Sequence, residues 1–165
     1  MNVLKIFLLP LFFTTTFSIF PQLTKAPMTE KDIVDTVVKS LQTGDASLLD
    51  AAYISVEAVG EEAKSRGYDP SDMRMGTAAD FAQGLEQTKA LHASLLLKVE
   101  ANKIDFSKLS LSSHQKVNVQ KMDEQVSMYG FTLQLSDGTS DIRIQFTALK
   151  LTKGYCLMKL YDQVE

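Results

Sequence analysis

The sequence is poor in the residues from which reactive sites are most often built. Its 165 residues include one cysteine, Cys156, two histidines, His92 and His114, and no tryptophan. A single cysteine cannot form a disulfide within the chain. In an oxidising compartment it should be buried and inert, because an exposed odd thiol pairs between molecules. No second histidine lies at helical spacing from His92, so the sequence predicts no metal site on that helix and no cofactor.

The chain also lacks an excess of basic charge. It has 17 Lys and Arg residues against 20 Asp and Glu residues, which gives a net charge of −3. Nucleic acids and anionic membrane surfaces attract proteins through basic patches. The composition therefore excludes nucleic acid as a partner and predicts no electrostatic attachment to a membrane surface.

Motifs of nucleophilic catalysis and of phosphate binding are missing as well. There is no Gly-x-Ser-x-Gly motif, and Cys156 stands beside Leu157 and Met158 in a segment that is typical of a strand. The eight glycines are scattered as turn and cap residues and form no phosphate-binding loop. These absences predict a protein without enzymatic activity and without catalytic residues.

A hydrophobic leader is the clearest feature that is present. Lys5 precedes a mostly apolar run over 6–20. This pattern predicts a signal peptide over 1–18, cleaved after Ser18, and hence a secreted or periplasmic protein. An uncleaved anchor stays open as the alternative, because the leader approaches the ~20 residues of a spanning helix, and it is the one route by which we expect contact with a membrane. Residues 19–28 then form a linker, and 29–165 have the length of a single domain.

Helical signals fill the first half of this domain. Thr29 is a predicted N-cap and Gly44 a predicted C-terminal stop, with apolar residues at helical spacing between them. Asp45 is predicted to cap a short second helix, and a third helix follows. Thr77 begins the longest helix, which runs to about Asn102. Its buried face is predicted to consist of Phe81, Leu85, Thr88, His92, Leu95 and Val99.

Alternation of apolar and polar residues in the second half indicates strands. A first strand is predicted over 104–111 and a second around 117–119. The next two strands, 131–136 and 142–146, are joined by a tight hairpin turn at Asp137-Gly138, since glycine tolerates the positive φ of such turns.

The end of the chain departs from simple alternation. The apolar parity changes at Ala148-Leu149, which predicts a β-bulge or a bend. After a turn at Lys153-Gly154, the last strand, 155–162, is apolar on both faces, which predicts a central or well-covered position. Helices followed by an antiparallel meander predict an α+β fold, with N-terminal helices packed on one face of a curved antiparallel sheet of about four strands.

Several short segments carry a resemblance to known proteins. The connection Thr43-Gly44-Asp45-Ala46 between the first two helices, followed by a long helix and strands, resembles the nuclear transport factor 2-like, or cystatin-like, superfamily. The segments Ile104-Asp105-Phe106-Ser107-Lys108, Asp141-Ile142-Arg143-Ile144-Gln145-Phe146 and Lys153-Gly154-Tyr155-Cys156-Leu157-Met158 are similar to small secreted bacterial proteins of unknown function. The resemblance covers about residues 29–163 and implies a cone-shaped pocket between helices and sheet. It implies no reaction, because this architecture carries enzymes, binding proteins and interaction domains alike.

Five residues are the candidates for a ligand site in such a pocket. A pocket histidine can orient or hydrogen-bond a ligand. The open alternative is a buried neutral histidine with one hydrogen bond, to Thr88 or to a strand tyrosine. We expect the other histidine, His114, to be exposed in a polar stretch between strands, and the carboxylates around Glu61-Glu62 to form a solvated acidic patch. The candidate ligand-binding residues are His92, Thr88, Leu95, Phe131 and Tyr155.

The sequence leaves three classes of function open. The first is a binding module that holds a small apolar molecule or a peptide between helix and sheet. The second is an assembly protein that forms a homodimer through its sheet, because the last strand exposes two apolar faces that need a cover. The third is an isomerase- or dehydratase-like enzyme of the kind this fold can carry. It would need a buried carboxylate, and Asp80, Tyr129 and Tyr155 have no spacing that brings them together.

Overall fold

Four helices precede a four-stranded antiparallel sheet. The computed structural model of the chain describes residues 27–69, 76–121 and 126–161. The predicted leader, 1–18, lies outside the described residues. The predicted α+β class, with helices packed on a curved sheet, is confirmed. The elements are α1 (Glu30–Thr43), α2 (Leu48–Ala52), α3 (Val56–Ser65), α4 (Ala78–Ala101), β1 (Ser110–Lys121), β2 (Ser127–Ser136), β3 (Asp141–Leu151) and β4 (Gly154–Tyr161).

The two longest helices begin at the predicted capping residues. The Thr29 hydroxyl accepts a hydrogen bond from the backbone N–H of Asp32 at 3.2 Å, and Gly44 ends α1 with φ 68°. At the start of α4, Thr77 and Asp80 form a reciprocal capping box. Asp80 therefore serves the helix N-terminus, as its position in the first turn predicted.

The predicted capping of α2 by Asp45 is wrong. Its carboxylate accepts hydrogen bonds from the backbone N–H and the hydroxyl of Ser47, at 2.9 and 2.6 Å. Ser47 is the N-cap residue, and its side chain makes no capping hydrogen bond. The aspartate closes a turn ahead of the helix, so its oxygen is engaged before the helix begins.

The two strands predicted over 104–111 and 117–119 are one strand preceded by a helical turn. Asp105 accepts hydrogen bonds from the N–H and hydroxyl of Ser107, which starts a 3₁₀ helix over Phe106–Lys108. β1 then runs without a break for 12 residues. Its register against β2 shifts twice, between Leu111 and Ser113 and between Asn118 and Gln120. These irregularities interrupt the alternation that the sequence prediction used to define strands.

The connection between β2 and β3 is a four-residue loop, and it contains the predicted turn residues Asp137 and Gly138. The strands pair as far as Ser136 and Asp141. The Asp137 carboxylate accepts hydrogen bonds from the backbone N–H groups of Thr139 and Ser140, both at 2.8 Å. Gly138 has φ 89°, the conformation that motivated its assignment to the turn. An Asp side chain that satisfies loop amides makes this connection stable.

β4 is an edge strand, but it is covered, as its two apolar faces predicted. The sheet order is β1-β2-β3-β4. The backbone of Met28 exchanges two hydrogen bonds with Tyr155, at 2.9 and 2.7 Å, and the Ile54 N–H donates to the Leu157 carbonyl at 2.9 Å. α4 packs along the same strand. The sequence pattern therefore predicted correctly that β4 is covered. It could not distinguish a central strand from an edge strand that other segments bridge.

The predicted bulge near Ala148 is confirmed, and its extra residue lies on β4. Thr147 is opposite Lys159, whereas the next residue, Ala148, is opposite Leu157, so Met158 has no partner. On β3 itself, Phe146–Leu149 are buried in an unbroken run, so residues of both faces are covered there.

The helices cover the sheet face on which Phe131, Leu133 and Phe146 lie. Each of these three side chains is at most 1% exposed, and all belong to one core cluster with residues of the helices. The space between helices and sheet is therefore filled with packed side chains. Within the described ranges, no helix combines the length and the hydrophobicity that crossing a membrane requires.

Candidate functional site

The three candidate residues on α4 are buried. Thr88 and His92 are 1% exposed and Leu95 is 0% exposed. The side chain of Thr88 is hydrogen-bonded to the phenol of Tyr53. The ring of His92 is hydrogen-bonded to the backbone of Ser40, in the last turn of α1. The partner of the histidine is thus neither Thr88 nor a strand tyrosine, which were the two expected partners.

His92 acts as a cap for the C-terminal end of α1. The last four carbonyl groups of a helix have no partner within the helix, and Ser40 carries one of them. Burial lowers the pKa of His92 below its ordinary value of 6.5, whereas the hydrogen bond to Ser40 and the charge of Asp45 oppose that change. Its Nε2 atom is buried and has no hydrogen-bond partner among the described residues. The histidine is therefore a neutral side chain with one satisfied nitrogen.

None of the five candidate residues lines any of three depressions that lie among the described residues. The largest of these, about 690 Å³, is an open surface depression between the end of α1 and the 3₁₀ turn. The second lies between α2 and the start of α4, and the third lies over polar side chains on the uncovered face of the sheet. The cavity positions give no support for a ligand held against the buried face of α4.

Phe131 and Tyr155 belong to a separate aromatic group at the end of the sheet next to α1. The rings of Phe131 and Phe146 stack with centroids 4.7 Å apart. The edge of the Tyr155 ring meets Phe131 at 5.8 Å and Tyr129 at 5.9 Å. The small side chain of Ala148 is opposite Tyr129 on the intervening strand. Edge-to-face contacts of this kind hold rings in a fixed orientation.

Charged side chains from three elements surround this aromatic group. Lys116 on β1 forms an ion pair with Glu30 on α1, and its ammonium nitrogen lies 3.2 Å from the Tyr155 hydroxyl. His114 Nε2 lies 3.2 Å from a carboxylate oxygen of Glu30. The ammonium of Lys150 lies 4.7 Å from the centre of the Tyr155 ring. We call this group the corner cluster, and its members are Glu30, His114, Lys116, Tyr129, Lys150 and Tyr155.

The electrostatics of the corner cluster hold its ion pair in the charged form. The hydrogen bond from Lys116 lowers the pKa of Glu30, and the hydrogen bond to Glu30 raises the pKa of Lys116. The side chains of Glu30, Lys116 and His114 are each about one third exposed, at 33%, 32% and 35%. All three side chains are therefore accessible from solvent. Glu30 and Lys116 remain ionised as a pair near neutral pH.

Sequence reasoning named Tyr155 of this cluster and the neighbouring Phe131 as candidate ligand residues, and it named none of the charged members. His114 is exposed, as expected, but it lies within β1 and not between strands. Glu30 and Lys116 are 86 residues apart, so no local pattern connects them. The solvated acidic patch expected at Glu61-Glu62 is also wrong in part. Glu62 is 4% exposed and accepts hydrogen bonds from Arg66 and Thr152, whereas Glu61 pairs with Lys153 at the surface.

The described residues contain no group of three His, Cys, Asp or Glu side chains placed to hold a metal ion. Comparison of the chain with protein-family models, with characterised proteins and with solved structures finds no match in any of the three. The resemblance to the nuclear transport factor 2-like superfamily therefore stays a prediction. What the chain can do has to be argued from its own side chains.

Proposed function

We propose that this protein is an exported, non-catalytic binding module whose ligand site is the corner cluster. The ligand is a small molecule that joins an anionic group to an apolar or aromatic body. One observation carries the proposal: the ammonium of Lys150 contacts the ring face of Tyr155, and among the described residues no carboxylate neutralises it.

Lys150 and Lys116 differ in how their charges are balanced. The charge of Lys116 is compensated by Glu30, whereas Lys150 is partly buried and rests on a ring. A cation held over an aromatic face keeps most of its attraction for an anion. Charge-assisted hydrogen bonds to an ammonium group are about twice as strong as neutral ones. An anionic ligand group beside Lys150 would complete the charge balance of the cluster.

The aromatic part of the cluster gives the ligand's body a surface to contact. Tyr129 is partly exposed, and its ring edge is held against Tyr155. Binding sites combine an apolar surface with a few polar groups that fix orientation. The rings and the two ammonium groups of Lys116 and Lys150 supply both, on rigid strands and not on loops.

The same electrostatics support a non-catalytic role. A general acid or base works best when its pKa lies near the working pH. The pKa of Glu30 is lowered and that of Lys116 is raised, so each is moved away from neutrality. The pair binds charge and is poorly suited to transferring protons.

The other two predicted functions have less support. The prediction of a homodimer rested on the two apolar faces of the last strand, and Tyr155, Cys156, Leu157 and Leu160 on those faces are buried within one chain. The prediction of a site between α4 and the sheet rested on an open interior, which packed side chains such as Phe131 and Phe146 occupy.

The proposal is tested with a matched pair of probes. 2-Naphthoate carries a carboxylate on an aromatic body, and 2-naphthamide has the same shape without charge. We expect calorimetry to show saturable binding of the naphthoate that is about tenfold tighter than that of the amide, which corresponds to about 1.4 kcal/mol. Lys150→Gln should remove this preference, whereas Lys39→Gln, an exposed change on α1, should leave it unchanged.

A substitution in the ion pair should change the affinity for naphthoate in the opposite direction. Glu30→Gln removes the carboxylate that competes for Lys116, so it should tighten naphthoate binding while Lys150→Gln weakens it. Equal affinity for the two probes, or loss of affinity in both variants, would contradict the corner cluster as an anion site.

A further inference from the structure

The outer edge of β1 is a row of backbone groups with which no strand of the described ranges pairs. β1 lies at the margin of the sheet, and its ladder partner is β2. Among the described residues no strand or isolated bridge pairs with its other side. β4, the opposite margin, is bridged by Met28 and by Ile54. The two edges of the sheet thus differ in their hydrogen bonding: within the described residues, other segments bridge the β4 edge and none bridges the outer edge of β1.

The two register shifts define the length of edge that an added strand can use. Between them, Ser113–Asn118 pairs with β2 without interruption. In an antiparallel ladder every second residue directs both its N–H and its C=O away from the partner strand. Six regular residues therefore present a short template for hydrogen bonding to another extended chain, and the flanking bulges end it.

Two exposed valines lie beside this edge. Val117 and Val119 are 64% and 56% exposed, among the most exposed large apolar side chains in the described residues. Val117 is opposite Gly130, whereas Lys116 is opposite the buried Phe131. Since neighbouring residues of a strand point to opposite faces, Val117 lies on the face away from the helices. An added strand would shield this face with an apolar side chain at the matching position.

The charges of β1 indicate what kind of chain would be added. The strand carries Lys116, Lys121 and His114 and contains no carboxylate. In a symmetric antiparallel pairing of this stretch with a second copy, the two Lys116 residues would lie directly opposite or diagonal to each other, and like charges across strands are unfavourable. A segment with acidic residues would instead be attracted to Lys116, where it competes with Glu30, and to Lys121 beyond the pairing stretch.

We propose that the edge of β1 is a docking site for an extended, acidic segment of a partner protein. The segment adds as a fifth strand along Ser113–Asn118, and its apolar residues alternate with acidic ones. Main-chain hydrogen bonds supply affinity in this mode of recognition, and the alternating side chains supply specificity. This inference does not depend on the ligand proposed for the corner cluster.

The test uses short peptides as probes of the edge. The first is a capped octapeptide of alternating Glu and Val, the second replaces each Glu by Lys, and the third carries N-methyl groups on alternate residues of the acidic peptide. We expect the acidic peptide to bind, to slow amide hydrogen exchange at Ser113–Asn118, and to bind at least about tenfold more tightly than the basic peptide. N-methylation on the pairing edge should abolish binding.

A matched pair of protein variants locates the contact. Val117→Asp replaces the apolar side chain by a charge that repels the acidic peptide and should weaken binding about tenfold or more. Leu97→Asp makes the same kind of change on α4, at a side chain that is 68% exposed, and should have no effect.

Four results would overturn the proposal. They are unchanged exchange in β1 when peptide is added, equal binding of the basic peptide, equal weakening by the two Asp variants, and a dimer by light scattering whose β1 amides are already protected without peptide. The last result would assign the edge to a second copy of the chain.

Discussion

Individual buried polar residues in this protein serve the ends of secondary-structure elements. His92 satisfies a carbonyl at the end of α1, and Glu62 satisfies the N–H and hydroxyl of Thr152 in the turn before β4. Each side chain is at least 95% buried and comes from a different helix. The atoms that meet backbone groups in this way avoid the cost of desolvation, which is about 1–3 kcal/mol for an unsatisfied group, whereas Nε2 of His92 has no partner among the described residues.

The state of His92 predicts how stability depends on pH. Its pKa in the folded protein lies below the ordinary 6.5. Between those two values the unfolded chain binds more protons than the folded one, so stability should fall as the pH falls below about 6.5. The loss should level off once the pH is below the folded-state pKa.

The measurement is urea unfolding from about pH 8 to about pH 5, for the wild type and for His92→Asn, which keeps a side-chain N–H donor but does not titrate. The difference in unfolding free energy between the two proteins should shrink as the pH falls. A difference that stays constant over this range would show that His92 does not titrate on unfolding.

The thiol of Cys156 gives a second prediction at this scale. The residue is 0% exposed, which confirms the expected burial, and burial raises its pKa to about 12. Because the thiolate is the reactive form, we expect no labelling by a disulfide reagent in the folded protein and one equivalent in denaturant. Rapid labelling of the folded protein at neutral pH would contradict the packing of β4.

Elements of this fold were predictable where their signals are local. Thr29 and Thr77 marked helix starts because a capping side chain acts within three residues. The break between 104–111 and 117–119 was predicted wrongly, since the two bulges that interrupt the alternation depend on the pairing of β1 with β2. The edge position of β4 was not predictable either, because its cover at Tyr155 comes from Met28, far away in the sequence.

The bridge over β4 predicts the effect of a small substitution. A Cβ at Gly154 would lie 2.4 Å from the Met28 carbonyl oxygen, so Gly154→Ala must displace that backbone. We expect a loss of about 2 kcal/mol or more in unfolding free energy, measured with urea. Gly60→Ala, in α3 with open space around the new Cβ, should be neutral or stabilise by up to about 1 kcal/mol. A neutral Gly154→Ala would mean that the bridge adds little to the stability of the edge.

At the scale of the whole molecule, the sheet brings together side chains that are distant in the sequence. Tyr155 on β4, Lys116 on β1 and Glu30 on α1 meet at one end of the sheet. The sequence prediction placed Phe131 and Tyr155 in one site with His92, Thr88 and Leu95. In the structure, Tyr155 belongs to the corner cluster and Phe131 packs against it, whereas His92 faces the end of α1. Only the tertiary arrangement determines that the sheet residues, and not the buried residues of α4, lie beside the charged side chains of Glu30 and Lys116.

The central claim is that ligand binds at the corner cluster and not against α4. We would first titrate isotope-labelled protein with 2-naphthoate and follow the amide and side-chain resonances by NMR. The account predicts saturable shifts centred on Lys116, Lys150 and Tyr155, with Leu95 unaffected. Shifts centred on His92, Thr88 and Leu95 would place the site inside the helical layer and contradict it.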